Sequence, residues 1–293
     1  MKLTMMRLAH RTPGLRSVVR RIHPVWFFKL TLCSVTLSSW YWPHTKKLAQ
    51  PFRAVLRDSF DERKLAVLAR RYLLYLRLFK ELELAWGNWE QRHREWIAID
   101  GENHLQSALQ EGKGVILISA HNYGFSKLVA PALTLRGYRV HRGGGGKKAG
   151  RRTSRWGKNY RMSWRYLDYK GDYWHRLQSV KALQTALAGN DVIHVSPRAY
   201  QHGEEEMAID IFGQKYFLDL TWFRLFQMCE SPVLPCFAIA NTNGEIRIVI
   251  HPVLSMTAKS MAKEFAEIQE KYLLEHPEFA RLWKDVHLRR AQL

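Results

Sequence analysis

Cysteine is scarce in this sequence: three residues in 293, at Cys33, Cys229 and Cys236. None belongs to a CxxC pair, so the chain carries neither a disulfide framework nor a thiolate zinc motif. Cys236 sits in the apolar run Val233-Leu234-Pro235-Cys236-Phe237, where a buried thiol in a reducing compartment is expected. Internal repeats are absent, and Gly143-Gly144-Gly145-Gly146 is the one low-complexity tract. Long apolar runs are missing too, which excludes a polytopic transporter. Hydrophobic residues at 46% and charged residues at 25% exclude a disordered or collagen-like chain and leave enough apolar side chains for a sizeable core. No cofactor or metal site is expected from this composition.

Acid is the other shortage. Residues 1–57 hold eleven Lys and Arg and no Asp or Glu, and residues 136–181 hold fourteen against only Asp168 and Asp172. The rest is close to balanced, so the net charge of +20 resides in two basic blocks. Such surfaces suit anionic partners: a lipid headgroup, an acidic carrier or nucleic acid.

The first block flanks an aromatic stretch between Pro24 and Pro43, with Trp26, Phe27 and Phe28 near one end and Trp40, Tyr41 and Trp42 near the other. The 18 residues between those prolines are only just the length of a membrane span, and they include Lys29 and several hydroxyl residues. Aromatic ends with Arg16, Arg20 and Arg21 before and Lys46 and Lys47 after point to membrane attachment at the interface. A cleaved signal peptide is not expected, because no short apolar core leads into a small-residue cleavage site. Two parts follow: a basic, aromatic, membrane-associated helical segment over 1–57 and a folded domain over 58–293.

Within that domain, Leu65, Leu68, Tyr72, Tyr75, Leu76, Phe79 and Leu82 recur at helical spacing, predicting a helix over 61–86. Strands are expected at 96–101, 115–120, 138–141, 191–195, 232–240 and 246–251, and helices at 102–110, 121–135, 177–187 and 258–275. The alternation predicts an α/β fold, a largely parallel central sheet flanked by helices. Ligands of such sheets bind at the carboxyl ends of the strands. His121 stands there, directly after Val115–Ala120, where an imidazole can take a proton from an attacking alcohol.

The stretch Gly112-Lys113-Gly114-Val115-Ile116-Leu117-Ile118-Ser119-Ala120-His121 resembles the "GKGvillsaH" segment of the bacterial lipid A late acyltransferases, within the lysophospholipid acyltransferase superfamily. Four further landmarks are similar and in the same order: Ile99-Asp100-Gly101-Glu102-Asn103-His104-Leu105, Ile211-Phe212-Gly213, Pro232-Val233-Leu234-Pro235-Cys236-Phe237, and His276-Pro277-Glu278-Phe279 followed by Trp283-Lys284. Together they cover roughly residues 60–290.

The resemblance implies an acyltransferase at the cytoplasmic face of the bacterial inner membrane. Its donor would be an acyl carrier protein or coenzyme A thioester, as co-substrate, and its acceptor a hydroxyl of a membrane lysolipid or lipid A-like glycolipid. In the family His belongs to an H-x4-(D/E) motif, the acid orienting the imidazole and stabilising its charged form. This chain departs there: five residues after His121 stands Ser126, which can orient the ring and brings no charge. The family's acidic loop after its central strand is also replaced, by Ser196-Pro197-Arg198.

Three explanations stay open. Another acid substitutes, with Glu204, Glu205, Glu206 and Asp210 as candidates in the loop before Ile211-Phe212-Gly213. Alternatively the chain moves an aminoacyl-type group, or it binds lipid without catalysis. Ser196 is read as part of a turn, since nothing in the sequence places a base beside it. Arg142, Lys147, Lys148, Arg151 and Arg152 are the expected phosphate-binding residues, Arg142 foremost. The interleaved cations and aromatics of 151–166 also fit a single-strand binder, but no recognition motif accompanies them, and nucleic acid is not expected as a partner.

Overall fold

The computed structural model describes residues 60–69, 71–72, 97–120, 125–143, 173–196, 205–211, 214–240 and 245–279, with the single positions Trp26, Lys29, Leu30 and Cys33. A six-stranded sheet with the spatial order β1-β8-β7-β2-β4-β3 organises these residues. The strands are β1 (Ile97–Asp100), β2 (Val115–Ile118), β3 (Val140–Gly143), β4 (Val192–Val195), β7 (Val233–Ala240) and β8 (Ile246–Ile250). β7, β2, β4 and β3 run parallel, while β8 pairs antiparallel with β7 and parallel with β1. The sheet is therefore mainly parallel, as expected, with two reversed strands at one edge.

β2 lies at the centre. All four of its side chains, Val115 to Ile118, are buried, as a strand with neighbours on both sides and helices on both faces requires. Each such aliphatic side chain contributes roughly 1.5–3 kcal/mol on burial. The flanking helices are α1 (Glu102–Gln110), α2 (Val129–Leu135), α3 (Tyr173–Ala188), α4 (Thr221–Cys229) and α5 (Ala258–Glu275). α1 buries Leu105 and Ala108, three residues apart on one face. α5 starts at Thr257, whose hydroxyl accepts the Ser260 amide, the expected action of an N-cap threonine. α5 closes one side of β7 through aromatic contacts: Phe237 stacks on Tyr272 at 4.2 Å between centroids and meets Phe265 at 6.2 Å, and Phe223 of α4 packs on the same Phe265 at 6.1 Å.

The entrance to β2 is tightly held. Gly112 and Gly114 both have positive φ, at 74° and 64°. Asn190, at the turn after α3, accepts the Gly114 amide through Oδ1 and donates Nδ2 to the Leu109 carbonyl, both at 3.0 Å. One side chain thus joins the ends of α1 and α3 to the start of β2. The Gly-Lys-Gly segment is the turn that lets these three pieces converge.

Two expectations need correction. The stretch before Ile211-Phe212-Gly213, expected as a loop, is instead the strand β5 (Glu206–Ile211), paired antiparallel with β6 (Gln214–Asp219). The alternation of Met207, Ile209 and Ile211 with Glu206, Ala208 and Asp210 accounts for this. α4, which follows, was likewise not expected as a helix. Among the described residues, the 61–86 helix is present at 62–69 and 71–72, and its remainder lies outside them. Of segment 1–57 only Trp26, Lys29, Leu30 and Cys33 are described; all four are helical and exposed. Among the described residues no helix is long and apolar enough to cross a membrane.

Candidate active site

Parallel register fixes what the sheet presents on one face. Leu117 of β2 is level with Leu234 of β7 and with His194 of β4, and His194 is level with Arg142 of β3. Two residues further along, on the same face, come Ser119 and Ser196 at the carboxyl ends of β2 and β4. The Ser119 amide continues the ladder by donating to the Val195 carbonyl at 2.9 Å.

These side chains meet. Ser119 Oγ lies 2.9 Å from His194 Nε2 and 2.7 Å from Ser196 Oγ, so a continuous chain runs from imidazole to hydroxyl to hydroxyl. His194 is fully buried and Ser119 nearly so, while Ser196 is only half-buried. Burial, and after it the positive charge of Arg142, pushes the His194 pKa down from 6.5 to about 3, so the ring is neutral. Nothing in the sequence sets a base beside Ser196. The structure places an imidazole one hydroxyl away, but a buried ring this weakly basic does not generate an alkoxide, and Ser196 is not a nucleophile on that ground.

His121 lies outside the described residues, but both sides of its loop are described. Ala120 is buried before it and Phe125 after it. The Phe125 amide donates to the Ala238 carbonyl of β7 at 2.8 Å, and its ring packs on Phe279 at 5.9 Å. Phe125 is thereby fastened to β7 near its carboxyl end. Phe279 belongs to a short 3-10 turn (Pro277–Phe279) after α5, which gives the His276-Pro277-Glu278-Phe279 landmark a physical purpose. Ser126 is buried, 6% exposed, as the first residue of the 3-10 turn Ser126–Leu128 that leads into α2.

The other candidates are dispersed. Arg142 is half-buried within β3 itself, on the face just described. Lys147, Lys148, Arg151, Arg152 and Glu204 lie outside the described residues. Glu205 is held by Arg224, which donates to both carboxylate oxygens at 2.7 and 3.0 Å, and this bonding keeps the Glu205 carboxyl below its usual range. Glu206 and Asp210 are exposed on β5. A second polar cluster sits at the opposite end of the sheet, where buried Asp191 contacts His141 Nε2 at 2.7 Å and Arg139 Nε at 2.6 Å. Placed before β4 and bonded to the start of β2, it fastens the amino ends of the strands. Among the described residues, no group of His, Cys, Asp and Glu could hold a metal ion.

Sequence reasoning missed His194. In Asp191-Val192-Ile193-His194-Val195 it reads as one polar residue within a strand, and only the register with β2 brings it to Ser119.

The architecture, a mainly parallel sheet with a polar constellation at the carboxyl ends of its central strands, defines an α/β protein. Residues 45–284 match the family model for bacterial lipid A biosynthesis acyltransferases, and the chain belongs to that family. No curated protein matches the chain. Among solved structures, the crystal structure of the 1-acyl-sn-glycerophosphate acyltransferase of Thermotoga maritima is similar at 13% identity, covering 90% of this chain and 100% of that one, with a TM-score of 0.36.

Proposed function

We propose that the chain transfers an acyl group from a carrier-protein or coenzyme A thioester to a hydroxyl of a membrane lysolipid or lipid A-like glycolipid. The observation that carries this reading is the family match over residues 45–284, which contains every landmark up to Trp283-Lys284. His121 is the general base: it takes the acceptor hydroxyl's proton as the oxygen attacks the thioester carbon, and the proton passes to the departing thiolate. The thioester is already activated, so no protein nucleophile is required. Ser126 orients the ring. Arg142 and the basic residues that follow it hold the phosphates of donor or acceptor. The aromatic, basic segment 1–57 attaches the chain to the cytoplasmic face of the bacterial inner membrane, and a high-salt wash without detergent that released the whole chain would refute that attachment.

Ser126 in the place of an acid favours a second reading: an aminoacyl-type donor, or lipid binding without turnover. One experiment separates these. Total lipids are compared by mass spectrometry from cells with the chain, without it, and with His121→Ala. An acyl mass shift lost in the variant is expected, and an aminoacyl mass would select the second donor. No shift in any lipid class would refute transfer, and a full shift in His121→Ala would refute the base.

A further inference from the structure

His194 is an unfavourable residue for its place. All four residues of β4 are buried, and the other three are Val192, Ile193 and Val195, so an aliphatic side chain at 194 would continue the strand's own pattern. The strand encloses an imidazole instead, and its Nδ1 is buried with no hydrogen-bond partner among the described residues. A buried polar atom left unpaired keeps its full desolvation penalty, and folded proteins carry few of them. Stability does not account for this histidine, which leaves the contact made by its other nitrogen.

That contact is with Ser119, whose Oγ lies 2.9 Å from Nε2. A neutral imidazole protonates one nitrogen only. With the proton on Nδ1, the ring would bury an orphaned N–H, which folded proteins avoid more strictly than an unused acceptor. The proton is therefore on Nε2, and the ring donates to Ser119 Oγ. Either direction of the Ser119–Ser196 hydrogen bond agrees with this, because a hydroxyl oxygen accepts two hydrogens and donates one.

Ser119 is the residue by which the chain leaves β2. Its amide donates to the Val195 carbonyl at 2.9 Å and its hydroxyl is held by His194, so backbone and side chain are both tied to β4. A residue bonded on both sides of its Cα has little freedom to turn. Ser119 precedes His121 by two residues, and two residues of chain span at most about 7 Å.

We infer that His194 is a positioning residue for acyl transfer, fixing the exit of β2 ahead of His121 through the hydrogen bond that it donates to Ser119. The inference rests on the acyl-transfer reading above, with His121 as the base. His194 touches no substrate and exchanges no proton. Its ring stays neutral because burial, and after it the charge of Arg142, holds the pKa near 3.

Two measurements test this on the full chain. The first is transfer from radiolabelled acyl-coenzyme A, and in parallel from the acyl-carrier-protein thioester, to total membrane lipid, with thermal unfolding of each variant at pH 7. His194→Leu is expected to unfold at or above the wild-type temperature and yet to lose about tenfold or more in kcat with KM nearly unchanged, since a misplacement near 1 Å costs about 10²-fold. Ser119→Ala should show the same loss, and the double variant no more than either single one, as two residues acting through one contact require. His194→Gln, which keeps an N–H near the position of Nε2, restores most of the rate. The second measurement is NMR of ¹⁵N-labelled histidine, which needs no turnover: a proton on Nε2 of His194 is expected, and one on Nδ1 overturns the inference. A His194→Leu protein with wild-type kcat, or one that unfolds at a markedly lower temperature, overturns the positioning role alone, as do single losses that multiply in the double variant. A wild type inactive with both thioesters, or a fully active His121→Ala, overturns the reading beneath it, and the positioning role with it.

Discussion

Gly112 and Gly114 offer a paired test of how the turn before β2 is built. Both hold positive φ, so alanine at either meets the same left-handed penalty, about 1–2 kcal/mol. The space around them differs. A Cβ at Gly112 would have no atom within 4 Å. A Cβ at Gly114 would stand 2.8 Å from the Leu187 Cα and carbonyl oxygen and 2.9 Å from the Asp191 carbonyl oxygen. All three are backbone atoms, two in the last turn of α3 and one just before β4, and they cannot swing aside as a side chain could. The α3–β4 connection also receives the Val115 amide at Asp191 and carries Asn190. Overpacking of this kind adds about 1–3 kcal/mol. Gly112→Ala should therefore destabilise by about 1.5 kcal/mol and Gly114→Ala by about 3.5 kcal/mol. At about 2–4 °C per kcal/mol for a domain of this size, thermal unfolding should shift by roughly 3–6 °C and 7–14 °C respectively. Equal shifts would refute the packing argument, leaving the backbone conformation as the sole reason for both glycines.

Three more outcomes follow from the polar groups. His194 is neutral in the fold with its pKa lowered to about 3, so the unfolded chain binds more protons below pH 6.5, and the stability it contributes is complete above that pH and lost as pH falls. Between pH 7 and pH 5 the loss is about 2 kcal/mol; urea unfolding at both values should show it in wild type and not in His194→Leu, and identical pH slopes would refute it. Glu205→Gln should leave transfer within about twofold, because the carboxylate belongs to an exposed pair with Arg224, whereas a fall near 10⁴-fold would identify Glu205 as the missing acid. Ser126→Ala should lower kcat by about tenfold, the worth of one hydrogen bond, with Ser126→Glu at or above wild type; equal rates in all three forms would refute the orienting role.

The strands of the main sheet were legible because they are central and apolar: Val115–Ile118 and Val233–Ala240 read as buried runs and fold as such. α1 and α5 were legible to the residue, since Gly101 before one and Thr257 before the other mark their starts. The β5–β6 pair was not read, because the acids of Glu204-Glu205-Glu206 and Asp210 mark the stretch as a polar loop although Met207, Ile209 and Ile211 alternate at strand spacing. The reversal of β8 against β7 was also hidden, because a strand's composition does not encode its direction. Of the candidate site, His121 was read from its place after a buried strand and lies outside the described residues, whereas the His194–Ser119–Ser196 chain joins residues of two strands and exists only through their register.

The contact between Phe125 and Phe279 has a consequence for the order in which the molecule matures. Phe125, at the head of the turn that leads into α2, receives its aromatic partner from a turn that is translated after every strand of the sheet. During synthesis every strand of the sheet is therefore made before Phe125 has its ring partner, and this edge of the sheet is the last to be closed over.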